Sequence, residues 1–534
     1  MNMDKHIEEE SLQSKDTARR GLSRRSFLQG LGATIGALLA GCRAVREEQA
    51  EIPAATVEVA TPKPSETPTA TAEAVPSTPS ETPTPTATPP AEESAVEAGS
   101  SGGIDAALSN APNVPIGTAR GIHPGRVVWV HDPAATSWDG REGFWWEDRH
   151  LPPDVVSRML SDSIQTLTGE GTNAAAWGAL FRHYNVTHNR SDAGYRAGET
   201  IAIKLNLNSG TAHDQRDNAT FTSPQLVSAL LRQLVEEVGV PAEAITAYDA
   251  IRLVPDAIYE PCAVAPLEGV HFVEWEGGVG REQYARDLAR QVHWSSQDVQ
   301  GNPTYLPTCV TEADYLINVA SLKGHNLAGV TLCAKNHLGS ICCDLDGEPT
   351  QTAPQGAGIH GTIAAHDYGG RDPEWTWKQR PYGTYSALVD LMAHPDLGEK
   401  TVLFLLDAFY VAQHQSVGVE PRSRWQSAPF SGDWTSSLFA SQDGVAIDSA
   451  GADFLRAEPT IAALPNVLPP HSTYDNYLHE AALIDQPPSG TAYGPTGERV
   501  TLTSLGVHEH WNNAQEKAYT RNLGTGEGIE LVRG

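Results

Sequence analysis

Lysine is costly to bury, yet Lys204, Lys323 and Lys335 each stand in or beside an otherwise apolar run. Three kinds of chemistry follow from such a set. Several ammonium groups at one site bind an anion such as a phosphate or a carboxylate. A lysine desolvated or crowded by other cations loses its proton more readily and acts as a base or nucleophile. The lysines could also be tied up in structural ion pairs with Asp249, Asp407 or Asp448. Asp249 and Asp407 are, with the lysines, the candidates for chemistry. Asn206, Asn318, Asn336 and Asp448 are candidates for ligand contacts.

Histidines form a second candidate set. His508 and His510 are two apart, so in an extended strand both project to one side. With His325, or with a carboxylate from elsewhere, they could hold a divalent metal. His360, His366 and Asp367 lie in a long polar stretch, and Cys342 and Cys343 are adjacent thiols able to ligate a soft metal or react. Other matches fail on context. Gly99, Ser101 and Gly103 fit a nucleophile elbow but have no strand before them. His479-Glu480 opens like a zinc-protease helix, but Leu483 occupies the place of the second histidine.

The elements that must position these residues are readable from periodicity. Strands are expected at 127–130, 201–207, 245–248, 270–275, 315–319 and 402–406. Ser223 and Pro224 open a helix whose apolar residues recur at helical spacing and which Gly239 ends, and 445–455 reads as another helix. This rhythm predicts an α/β fold, a mostly parallel sheet with helices on both faces and long loop insertions at 340–383 and 408–442. Polar residues cluster where the strands end, at Asp132, Lys204, Asn206, Asp249, Asn318, Ser321, Lys323, His325 and Asp407. In open α/β sheets ligands bind beyond the carboxyl ends of the strands.

Three segments together resemble the domain of unknown function 362 family: Ile203-Lys204-Leu205-Asn206, the run from Asp314 to His325, and the run from Gly329 to Gly339. The stretch from Asp443 to Asp448 is similar to a later helix of that family, with Gly444 where a proline is usual. The resemblance implies an α/β fold and an exported, sometimes redox-linked setting. Some members carry ferredoxin-like clusters, but this chain has no Cys-x-x-Cys and no ferredoxin-type run.

The N-terminus carries addressing signals. Arg24 and Arg25 precede Phe27-Leu28 and a short apolar stretch, the pattern of a twin-arginine export signal. That stretch ends Leu39-Ala40-Gly41-Cys42, which resembles a lipoprotein cleavage box and makes Cys42 the expected acylation site. Residues 1–42 are thus expected to be a signal. Residues 43–118 read as a disordered Pro/Thr/Ser-rich linker, and 119–534 as the α/β domain. Of the formal charge of −29, residues 1–100 hold only −6. An acidic domain argues against nucleic acid as a partner. The expected partners are the export machinery, a membrane through the lipid anchor, and a small-molecule ligand.

The leading functional expectation is an exported, lipid-anchored protein whose α/β domain binds a small anionic ligand or metal complex at the strand ends and could be an enzyme. The alternatives are a metal-dependent oxidoreductase or hydrolase, and a non-catalytic surface scaffold. The last predicts lysines scattered over the surface.

Overall fold

The computed structural model describes residues 111–534, apart from 209, 300–302, 346–347, 351–358, 366, 370–375, 465–472 and 499–501. The expected signal, Arg24, Arg25, Cys42 and nearly all of the linker lie outside the described residues, as does His366. The strands of the main sheet are β1 (Arg126–His131), β2 (Ile201–Lys204), β3 (Ile245–Tyr248), β4 (His271–Glu274), β5 (Glu282–Gln283), β6 (Tyr315–Ser321), β7 (Thr401–Ala408), β8 (Ser437–Ser441) and β9 (Glu530–Arg533). Their order across the sheet is β9-β1-β8-β7-β6-β2-β3-β4-β5. Every neighbouring pair is parallel except the two that β8 makes, with β7 and with β1. The α/β class and the mostly parallel sheet expected from the sequence are therefore observed.

Burial explains why these segments read as near-continuous apolar runs. All residues of β2, β6 and β7 are buried, as strands covered on both faces must be. Their side chains alternate between two apolar clusters. Ala202, Leu316, Ala320, Phe404 and Leu406 join one, while Ile201, Ile203, Ile317, Val319 and Leu405 join the other. The second cluster also takes in apolar residues of α1 (Pro153–Thr168), α2 (Asn173–Thr187) and α3 (Pro224–Arg232). The first takes in those of α5 (Ala387–Ala393), α6 (Gly444–Ala457) and α7 (Thr473–Ala482), and of the one-turn α4 (Cys333–Asn336).

Some local expectations shift. Helix α3 starts at Pro224 as read, but the Ser223 side chain makes no capping bond. Its backbone N–H instead donates to Asp407 Oδ2 at 2.7 Å. The helix runs on as a wider-wound turn, Gln233–Val238, before Gly239 closes it at φ +81°. Helix α6 forms where a helix was expected, and Asp443 caps it with a carboxylate that accepts from the N–H groups of Val445 and Ala446.

The chain order reverses beside β2. From β2 the strands step outward through β3, β4 and β5, and then β6 returns to pair with the other edge of β2. In such sheets the usual ligand position lies at such a reversal, beyond the carboxyl ends of the strands, here β2 and β6.

Candidate functional site

Both strands at the reversal carry polar residues at or just beyond their carboxyl ends. Lys204 is the last residue of β2 and is fully buried. Its Nζ donates to Asp249 Oδ2 at 2.9 Å, just past the end of β3, and to the Leu205 carbonyl at 2.5 Å. Burial lowers its pKa while Asp249 works against that shift. For this lysine the ion-pair reading holds.

Asn206 is the hub. Its Oδ1 accepts from Lys323 Nζ at 2.9 Å and from Ser321 Oγ at 3.1 Å, and its Nδ2 donates to Asn336 Oδ1 at 3.0 Å. Asn336 in turn donates to Asn318 Oδ1 at 2.9 Å and to the Val319 carbonyl. Asn318 donates to the Cys333 carbonyl and lies 3.0 Å from His337 Nε2. Alternation within the extended chain placed Lys204 and Asn206 on one side, and both reach Asn336.

The hairpin after β6 supplies the next groups. Lys323–His325 pairs antiparallel with Gly329–Thr331, and Gly329 takes φ +81°, a left-handed value that glycine adopts at no steric cost. Burial drives Lys323 down to about 7; Lys335 adds to the push and Asp407 opposes it. Lys335, on α4, is also held near 7 by burial, with Arg252 and Lys204 contributing. Among the described residues neither Lys323 nor Lys335 has a carboxylate within 4.0 Å, and the Lys335 amine makes no hydrogen bond.

His325 faces the same charges. Its Nδ1 accepts from the backbone N–H groups of Leu327 and Ala328, so the ring proton sits on Nε2. Burial, then Lys335 and His360, push its pKa well below the ordinary value, and the ring is neutral. Its Nε2–H has no acceptor among the described residues. Arg252 donates to the carbonyls of Asn208 and Ile251 and adds a further positive charge.

Residues 201–453 match the model of a family described as a domain of unknown function (DUF362). No curated protein matches the chain. The DUF362 segment holds every strand-end residue just described, in agreement with the resemblance seen in the sequence.

Not every candidate in the DUF362 segment belongs to this group. Asp448, on α6, accepts from the N–H groups of Cys333 and Ala334 and from the Tyr474 hydroxyl at 2.7 Å. It anchors the start of α4, so it fixes where Lys335 and Asn336 stand. Asp407 is occupied by Ser223 N–H, and its effect on Lys323 is through charge alone. His508 and His510 lie beyond the segment, in a separate buried cluster. Their ring centroids are 4.9 Å apart, as strand alternation predicts, and His508 lies 4.7 Å from His479. His510 Nδ1 is 2.6 Å from Asp453, and His508 Nδ1 is 2.8 Å from Ser449 Oγ. Among the described residues no three His, Cys, Asp or Glu side chains are grouped to hold a metal ion. The side chain of Cys343 lies outside the described residues.

Arg252 and Gly339 were not singled out by the sequence as site residues. Arg252 stands three residues past Asp249, where a strand end should have drawn notice. Gly339 packs against the Lys204–Asp249 pair. A Cβ there would sit 2.5 Å from Lys204 Nζ and 2.7 Å from Asp249 Oδ2, both held in place by burial and bonding. Gly339→Ala should therefore cost about 1–3 kcal/mol, the usual range for overpacking, and should displace the Lys204–Asp249 pair. Urea unfolding measures the cost; a wild-type midpoint would show that the pair tolerates the methyl.

Proposed function

We propose that this domain binds a small anion beyond the carboxyl ends of β2 and β6, with Lys323, Lys335 and the Nε2–H of His325 as its donors, and that the chain is an exported lipoprotein tethered through Cys42. The first part rests on one observation above the others: where the strand order reverses, Lys323, Lys335 and His325 are buried residues with no carboxylate partner among the described residues, and only Lys323 donates, to Asn206. A buried charge without a partner is costly, so a fold that keeps two such lysines gains from an anion that compensates them. The arrangement offers donors and cations, and among the described residues the carboxylate in direct contact, Asp249, is already engaged by Lys204. The second part rests on the Arg24-Arg25 pair and the Leu39–Cys42 box; labelled palmitate incorporation that is lost in Cys42→Ser tests it, and equal labelling of both proteins would sink it.

Sulfate is a suitable probe because its charge does not change near neutrality. Since Lys323 and Lys335 titrate near 7 without an anion, sulfate must bind their protonated forms. Its affinity should fall by roughly tenfold or more as pH rises from about 6.5 to 8.5, since each linked proton changes the binding constant up to tenfold per pH unit. At 100 times its dissociation constant sulfate should stabilise the fold by about 2.7 kcal/mol. Thermal unfolding across a sulfate and pH grid reads both effects, and a Tm independent of sulfate at every pH would refute the reading.

A further inference from the structure

The three lysines are not equivalent, and the difference lies in what each amine already holds. Lys204 Nζ is committed to Asp249 and a backbone carbonyl. Lys323 Nζ is anchored to Asn206. Lys335 Nζ is bonded to nothing among the described residues, although the residue is only 8% exposed. An amine that donates to a fixed acceptor is held in one orientation by it. One without such a bond is free, when neutral, to turn its lone pair toward a carbonyl carbon.

The helix turn that carries Lys335 is itself fixed. Asp448 holds the N–H groups of Cys333 and Ala334, and Asn336 is tied to Asn318 and to the Val319 carbonyl. The backbone that carries Lys335 is therefore held in place on both sides. Its neighbours Lys204 and Arg252 are cationic, which disfavours a third positive charge. A cationic neighbour beside a desolvated lysine is a known way to make it a nucleophile at neutral pH.

We propose that Lys335 is an imine-forming nucleophile for a small anionic carbonyl compound of the 2-oxo acid class, whose charged end is held by Lys323 and His325. This rests on the anion-binding reading above and narrows its ligand. The neutral amine attacks the carbonyl carbon, forming the C–N bond as the C=O π pair moves to oxygen. Transfer of one amine proton to that oxygen gives a carbinolamine. The hydroxyl group then takes a proton from solvent and leaves as water as the nitrogen lone pair forms the C=N bond, and the product is a protonated imine on Lys335. No oxidant or reductant is consumed. The fixed Nε2–H of His325 is a neutral donor, suited to hold the carboxylate without competing for the amine's proton.

Glyoxylate with cyanoborohydride at pH 7.5 tests the step, because the hydride reagent traps an imine as a stable secondary amine. Peptide mapping of the full chain should find Lys335 labelled at least tenfold faster than any other lysine. Sulfate should slow that labelling, and Lys335→Arg should abolish it, since a guanidinium keeps the charge but forms no such imine. Labelling spread evenly over the lysines overturns the proposal. If sulfate raises the Tm of the wild-type chain but Lys335 is not trapped, the nucleophile is refuted while anion binding stands. If sulfate has no effect and Lys335 is not trapped, both fail.

Discussion

Replacing both Lys323 and Lys335 by methionine should make the domain more stable and, at the same time, unable to bind sulfate. Both amines are buried, and in the folded chain both titrate near 7 rather than at the ordinary 10.5. Each unit of such a shift corresponds to about 1.4 kcal/mol between the two protonation states. Exchanging buried charged groups for apolar ones of similar volume recovers about 1–4 kcal/mol, and methionine fills the stem's space well. The sign with pH follows from proton counting. Between about pH 7 and 10.5 the unfolded chain holds more protons on these lysines than the folded one, so wild-type stability rises with pH across that window. Below pH 7 both states are protonated and the folded state bears the full cost of the buried charges. The double variant should lose this slope and gain most at pH 6. Urea denaturation at pH 6 and pH 9 measures it. A variant less stable than wild type at pH 6 would mean that the lysines are compensated within the fold, and the anion site would lose its basis.

The opposite outcome is expected one layer deeper. Asp249→Asn should destabilise the domain by about 3–5 kcal/mol, the usual cost of removing one partner from a buried ion pair. Lys204 is fully buried and Asp249 nearly so, and Asp249 also accepts from Ile251 N–H at 3.1 Å. Asparagine keeps the shape and an acceptor oxygen but leaves the Lys204 charge uncompensated. Combining it with Lys204→Met should restore much of the loss, because the stranded charge goes with the lysine. Equilibrium unfolding of the two single variants and the double variant gives the coupling energy. Strictly additive losses would show that Lys204 and Asp249 act independently. Together the two experiments separate a lysine that holds the site up from the lysines that wait for a ligand.

Much of this site was legible in the sequence, and the reasons differ by residue. Strands β2, β3, β6 and β7 were found at or near their observed bounds because strands buried on both faces must be apolar along their length. Lysines that break such runs are conspicuous, and Lys204, Asn206, Asn318, Lys323 and Asn336 meet as one network. What each residue bonds to was not legible. Sequence shows which residues end a strand, but not which strands become neighbours. Asp249 and Asp407 looked alike as lysine partners, yet one binds Lys204 and the other holds the entry to α3. Asp448 looked like a ligand contact and instead anchors α4, because a helix of one turn leaves its first N–H groups in need of an acceptor. Strand β8 went unread because its run, Ser437–Ser441, is short and polar at both ends. His508 and His510 share a side as expected, but their Nδ1 atoms face Ser449 and Asp453 in a different part of the domain.

Proton uptake on anion binding decides whether Lys323 and Lys335 hold the anion. Sulfate titrations by calorimetry at pH 7.5, in buffers of different ionisation enthalpy, give the number of protons taken up per anion bound. Because burial holds Lys323 and Lys335 near 7 without an anion and both must be charged beside one, net uptake is expected, and it should be lost in the double methionine variant. Sulfate binding with no proton uptake, or with equal uptake in the variant, would contradict it.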